Sequence, residues 1–218
     1  MKLIAVNTGL PRKVLWQGRE VHTAIFKQPV TGRVALEKLN LDGDRQADLS
    51  VHGGPEKAVY CYASEHYDYW KQELPGWQLA PGTFGENFTT LDLPEESVHV
   101  GDGFRIGPAE FVVTQPRLPC FKLGVRFQSD DMVRRFLASG RMGFYFAVTR
   151  AGDVGAGDMI ERISRDRAAV SVSEITRLYI AKRYGPADVQ SAQRALRVEV
   201  LPQSWKEHLA GRLEKIKA

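Results

Sequence analysis

Cys120 sits in the frame Gln115-Pro116-Arg117-Leu118-Pro119-Cys120-Phe121-Lys122, with two prolines ahead of the thiol and two cations within three residues of it. A cysteine acts as a ligand or nucleophile only as the thiolate, and nearby positive charge favours that form. Pro119 also removes a backbone donor and stiffens the approach to the sulfur. The frame suits a thiolate that binds a metal or meets an anionic group. A buried structural thiol after a proline turn needs none of this charge.

Two further segments carry residues of chemical interest. Leu41-Asp42-Gly43-Asp44-Arg45-Gln46-Ala47-Asp48 leads to His52-Gly53-Gly54-Pro55-Glu56-Lys57. Gly43, Gly53 and Gly54 would let backbone approach a ligand closely. Arg45, His52 and Lys57 would supply cationic donors to phosphate-type oxygens. The same residues would equally make a polar surface loop whose glycines only form turns. The segment Pro81-Gly82-Thr83-Phe84-Gly85-Glu86-Asn87-Phe88-Thr89 reads either as a pocket rim bearing Glu86 and Asn87 or as a capped turn with two core aromatics.

What the chain lacks narrows the chemistry. There is no GxGxxG, no GxxxxGK[ST] and no HExxH, and the histidines at 22, 52, 66, 99 and 208 show no zinc-type spacing. His66 reads as a surface or packing residue of a helical run. Cys61, inside Val59-Tyr60-Cys61-Tyr62, reads as a small buried one. The formal charge of +4 is too weak to indicate a nucleic acid polymer and suits an anionic small ligand. Met1 to Val6 does not read as a signal peptide, and no apolar run is long enough to span a membrane. The two cysteines form no CxxC pair, so the expectation is a cytoplasmic protein with reduced thiols.

The elements that must position these residues are short. Apolar runs at Leu3 to Val6, Val34 to Leu36, Val59 to Tyr62, Phe111 to Thr114, Phe144 to Thr149 and Met159 to Ile163 alternate with Gly, Pro and Asp. They predict a mainly β fold closed as a barrel. Gly101-Asp102-Gly103 predicts a turn between two strands. Helices are predicted at Ser64 to Leu74 and Asp130 to Ser139. After Arg167 the pattern becomes helical: Ser171 with Glu174 spells a capping box, Gly185-Pro186 breaks the chain, and Asp188 to Leu196 and Pro202 to Lys217 follow. Trp205, Leu209, Leu213 and Ile216 share one face. A barrel domain of residues 1–166 and a three-helix domain of residues 167–218 are expected. The tail would dock on the barrel or on a second copy, giving a homodimer.

Taken together, GDRQADLSVHGGPEKAVYCY (43–62), GTFGENFTT (82–90), VGDGFRIG (100–107) and QPRLPCFKL (115–123) resemble the MOSC domain family, in its stand-alone bacterial YiiM-type branch with three C-terminal helices. The resemblance implies a MOSC β-barrel and a pyranopterin molybdenum cofactor, with Cys120 in the position of the molybdenum ligand. It implies reduction of N-hydroxylated compounds, such as hydroxylaminopurine base analogues, to amines. With no flavin or nicotinamide motif, electrons would come from a partner redox protein, expected to be a flavoprotein reductase. Cys120, Lys57 and Arg117 are then the expected catalytic residues. Arg45, His52, Gly53, Gly54, Glu86, Asn87 and Arg117 are the expected cofactor-binding set. Lys57, His52 and Glu86 are candidate proton sources. A sulfur (persulfide) carrier or a cofactor-binding module is the alternative.

Overall fold

The computed structural model describes residues 1–48 and 52–217. Twelve strands and six α-helices are found among them. The strands are β1 (Lys2–Thr8), β2 (Arg12–Trp16), β3 (Arg19–Thr23), β4 (Gln28–Pro29), β5 (Arg33–Leu36), β6 (Val59–Ala63), β7 (Phe88–Leu91), β8 (Gly103–Ile106), β9 (Ala109–Pro116), β10 (Phe144–Arg150), β11 (Gly152–Gly155) and β12 (Ile160–Ser164). The helices are α1 (Glu65–Glu73), α2 (Phe121–Phe127), α3 (Met132–Ser139), α4 (Val172–Ile180), α5 (Pro186–Ala195) and α6 (Gln203–Lys217).

The main sheet runs β12-β8-β9-β10-β6-β7-β1-β4. Its neighbours are antiparallel except β6 and β7, which pair in parallel through Cys61↔Phe88 to Ala63↔Thr90. Backbone contacts also join β1 to the segment just before β12, at the opposite end of this order. Lys2 bridges Met159. Leu3 N–H donates to Asp158 O at 2.9 Å, Gly157 N–H to Leu3 O at 2.8 Å and Ile160 N–H to Met1 O at 3.0 Å. These bonds satisfy edge groups that an open sheet would leave unpaired. β5 with β11, and β2 with β3, form separate two-stranded ribbons.

Two apolar clusters fill the fold. One lies inside the barrel, with Val6, Phe88, Phe104, Phe111 and Phe146, and continues without a break into Val172, Ile175, Leu178, Trp205 and Leu209 of the tail. The other is aromatic, built from Tyr60, Tyr62, Trp70, Phe84 and Phe136, and joins β6 to α1, α2 and α3. β6 is buried along its whole length because it lies between the two.

The tail docks on the barrel of its own chain: buried Trp205 donates from Nε1 to Gln115 Oε1 of β9 at 2.9 Å. The Ser171–Glu174 capping box forms in both directions, at 3.0 and 2.9 Å. α3 begins at Met132, two residues after the predicted start, with Asp131 as its N-cap, and Asp130 accepts from Gln17 at the tip of the β2–β3 ribbon. Gly101-Asp102 leads into β8 but follows no strand. The fully buried Asp102 carboxylate accepts from the backbone N–H groups of His99 (3.2 Å) and Asp166 (3.1 Å) and lies 3.3 Å from Arg162 Nε of β12, and so ties these loops to that strand. Among the described residues no helix is long and apolar enough to cross a membrane.

Candidate functional site

β9 ends at Pro116, and Pro119 keeps the chain extended up to Cys120, which is the N-cap of α2. This turn from strand to helix sets the thiol, half-buried, on the wall of a cavity of about 100 Å³. Phe121 turns outward while Lys122, in the next position, is 9 % exposed and turns inward. Cys120 Sγ lies 3.5 Å from His52 Nε2.

The opposite wall comes from the segment around His52. Gly53 and Gly54 have φ of +84° and +85°, values that side chains with a Cβ avoid, and they turn the chain into the one-turn helix Pro55–Lys57. Thr114 of β9 donates its hydroxyl to Glu56 O at 2.6 Å and pins that turn to the barrel. His52, Gly53 and Lys57 line the cavity, and Gly54 does not. Residues 49–51 of the same sequence motif lie outside the described residues.

Asp44 organises the third wall. It is fully buried and accepts from Gly9 N–H at 2.8 Å, from Asn87 Nδ2 at 2.9 Å and from the ammonium of Lys27. This hub fixes the loop that carries Arg45 and Gln46 into the lining. Asn87 also lines the cavity, but its amide is already used: Oδ1 accepts from Tyr60 N–H at 3.1 Å, and Nδ2 donates to Asp44 and to Asn7 O at 3.3 Å. Glu86 lies outside the lining. It is fully buried and accepts from Gly82 N–H (2.8 Å), Phe84 N–H (3.1 Å), Thr89 Oγ1 (2.9 Å) and Tyr67 Oη, which folds the 82–89 loop around it. Burial raises its pKa above the ordinary carboxylate value despite those donors. Glu86 is therefore a loop organiser and is badly placed to pass protons to the cavity.

Of the predicted residues, the structure brings together Cys120, His52, Gly53, Lys57, Arg45, Asn87 and Arg117, and leaves out Gly54 and Glu86. The sequence did not point to Lys27, Tyr60 or Tyr145, which also line it. Lys27 announces itself only through its partner Asp44, 17 positions away. The two tyrosines look like ordinary strand aromatics.

The electrostatics are one-sided. Lys27, Arg45, Lys57, Arg117 and Lys122 line the cavity, and no Asp or Glu does so among the described residues. Burial holds the His52 pKa below the usual histidine value, and the charges of Lys122, Lys57 and Arg117 press it further down against the opposing pull of Asp48. His52 is therefore a neutral imidazole at pH 7. Burial pushes Tyr60 and Tyr145 upward, so both keep their protons. Arg117 is 6 % exposed, with its guanidinium 5.2 Å from the ring centres of both Tyr60 and Phe136. Among the described residues, its buried NH1 nitrogen and the buried Nδ1 of His52 have no hydrogen-bond partner. Buried polar atoms seldom stay unpaired, and an ordered water, an ion or a bound ligand would serve these two.

The MOSC domain profile matches residues 48–161. Protein YiiM of Escherichia coli is 38% identical over 202 residues, covering 88% of this chain and 87% of that one. A protein of Gibberella moniliformis named "Reductase" is 34% identical over 183 residues, 83% of this chain and 32% of that longer protein. The crystal structure of YiiM from Geobacillus stearothermophilus superposes with a TM-score of 0.80 at 32% identity, covering 97% of this chain and 98% of that one. On the extent of these matches, the chain belongs to the MOSC domain family.

Proposed function

We propose that this chain is a molybdenum-cofactor-dependent reductase of N-hydroxylated compounds, including hydroxylaminopurine-type base analogues, and that a partner redox protein of flavoprotein type supplies its electrons. The observation that carries this reading is the cavity: a half-buried thiol beside a neutral imidazole, with five cationic side chains and no carboxylate in the described lining. Soft thiolate sulfur suits molybdenum. The unpartnered donor of Arg117 and the neighbouring cations suit the anionic tail of a pyranopterin. Membership of the MOSC family and a relative named a reductase support the same reading.

Cys120 would hold the metal, and Arg117, Arg45 and Lys57 would hold the anionic tail beside the backbone of Gly53. The bound cofactor would supply the two-electron redox chemistry that these side chains lack. The overall change is R–NHOH + 2 H⁺ + 2 e⁻ → R–NH₂ + H₂O. The protein must therefore see two protons delivered to the site. Arginines do not release protons, and the two tyrosines hold theirs. Of the predicted proton sources, Lys57 and His52 line the cavity. Neutral His52 can pass a proton through its ring nitrogens, and its Nε2 faces the sulfur.

The test is Cys120→Ser, expressed in cells that make the cofactor, with molybdenum per chain and N-hydroxylamine reduction by a chemical donor both measured. Loss of both is expected, and wild-type values for both would sink the assignment. The thiol–imidazole contact also suits a sulfur carrier. A one-sulfur mass gain on Cys120 in molybdenum-free protein would favour that second reading.

A further inference from the structure

Arg117 is the most buried cation of the cavity, yet no carboxylate grips its guanidinium among the described residues. Its place is set by its backbone and by two aromatic rings. The backbone tie is Arg117 N–H to Gly143 O, at 3.1 Å. Gly143 is itself tightly fixed. Its φ is +68°, and a Cβ there would meet Cys61 O at 2.2 Å and Tyr60 Cε2 at 2.8 Å. Its N–H donates to Glu95 Oε1 at 2.6 Å. Glu95 is 2 % exposed, and its other oxygen lies 2.6 Å from His66 Nε2 on α1. Just before Gly143, the carbonyls of Arg141 and Met142 accept from the hydroxyls of Tyr62 (3.1 Å) and Tyr60 (2.9 Å).

We infer that Glu95 is a positioning residue for Arg117, acting through Gly143, with His66 holding the carboxylate in place. Charge-assisted bonds of this length are the strong ones. Glu95 spends one oxygen on the Gly143 N–H, and the Gly143 carbonyl then meets Arg117 in a fixed register. Nothing else in this path is adjustable: β6 blocks Gly143 from one side, and the Tyr60 hydroxyl holds the preceding carbonyl. Tyr60 is also one of the two rings beside the Arg117 guanidinium, so the same short segment fixes both ends of the arginine. The importance of Arg117 for an anionic cofactor rests on the function proposed above. The structural link from Glu95 to Arg117 does not.

Amide hydrogen exchange on the cofactor-free chain tests the link, and molybdenum content of chain made in cofactor-producing cells tests its consequence. In Glu95→Ala, the Arg117 and Gly143 amides should exchange at least about tenfold faster, with those of Val59 and Cys61 in β6 unchanged. Molybdenum per chain should fall, and adding Arg117→Ala should lower it no further than Arg117→Ala alone, the non-additivity expected of residues acting as one unit. Glu95→Gln, which can still accept from Gly143 and donate to His66, should restore protection and loading. If Glu95→Ala fails to fold, Glu95→Asp keeps the charge but is too short to serve both partners, and it should show the same pattern. Unchanged Arg117 exchange in the folded variant, or additive loss in the double variant, overturns the inference. A wild-type chain that binds no molybdenum but shows the predicted exchange pattern refutes the proposed function and leaves the positioning link standing.

Discussion

Replacing Arg117 with methionine should make the cofactor-free protein more stable while removing its ability to retain cofactor. The guanidinium is 6 % exposed, faces two aromatic rings and leaves NH1 without a partner. An ion buried without a counter-charge costs several kcal/mol after relaxation, and the unmet donor belongs to that cost. Against it stand two cation–π contacts of about 1 kcal/mol each. Methionine fills similar volume with a flexible apolar chain, so little cavity is created. The balance favours the variant by about 1 kcal/mol or more, a rise in Tm of roughly 2–4 °C for a chain of this size. Scanning calorimetry of cofactor-free wild type and Arg117→Met reads this directly, and elemental analysis reads the loss of molybdenum. A fall in Tm of several degrees would refute the reasoning, because it would mean that the arginine stabilises the empty fold and is not held there for a ligand.

Trp205→Phe removes the donor to Gln115 Oε1 while Gln115 Nε2 already lacks a partner, so both ends of a buried amide become unsatisfied. A loss of about 1–3 kcal/mol is expected in urea unfolding. Gly143→Ala combines a left-handed backbone with a clash against Cys61 O and should cost about 2–5 kcal/mol, read as loss of soluble folded protein at 37 °C. His208 is kept below the ordinary histidine pKa, first by burial and then by Arg212 and Lys215. Below about pH 6.5 the unfolded chain takes up a proton that the folded chain refuses, so stability falls as the pH drops from there to the folded value. His208→Gln should flatten that slope in urea midpoints measured between pH 5 and 7, and an unaltered slope would count against the argument.

The sequence made β1, β5, β6, β9, β10, β12 and the three tail helices legible because they repeat simple signals: apolar runs between turn residues, and a capping box at Ser171 and Glu174. β7, inside the segment read as a pocket rim or a capped turn, was missed. It made Cys120, Arg117, His52 and Lys57 legible through charge and glycine spacing. It did not reveal α2, whose seven residues are too few to display a helical period and include Gly124. That helix is what turns Lys122 inward. The β2–β3 ribbon was equally hidden, since its strands mix charged and apolar residues on both faces and are mostly exposed. Glu86 and Asn87, between phenylalanines, were read as a pocket rim or a capped turn, and residue type alone cannot say whether a buried carboxylate serves a ligand or its own loop. Only the four donors converging on Glu86 decide that.

The same distinction explains how the cavity becomes so positive in a chain of net charge only +4. Three acidic residues close to it in the fold, Asp44, Glu86 and Glu95, are each at most 2 % exposed and are absent from the lining. Each is enclosed by partners from the segments around the walls: Gly9 and Asn87 for Asp44, Gly82 and Phe84 for Glu86, Gly143 and His66 of α1 for Glu95. The carboxylates thus bind the backbone that presents the cations. A cavity built this way attracts anions through placement rather than through overall charge, and neutralising Asp44, whose oxygens hold Gly9, Asn87 and Lys27, should deform a wall before it changes the local potential. Loss of anion affinity after Asp44→Asn should therefore come with faster amide exchange at Gly9 and Arg45. A change in affinity without that loosening would show that long-range charge, and not wall geometry, sets what the cavity binds.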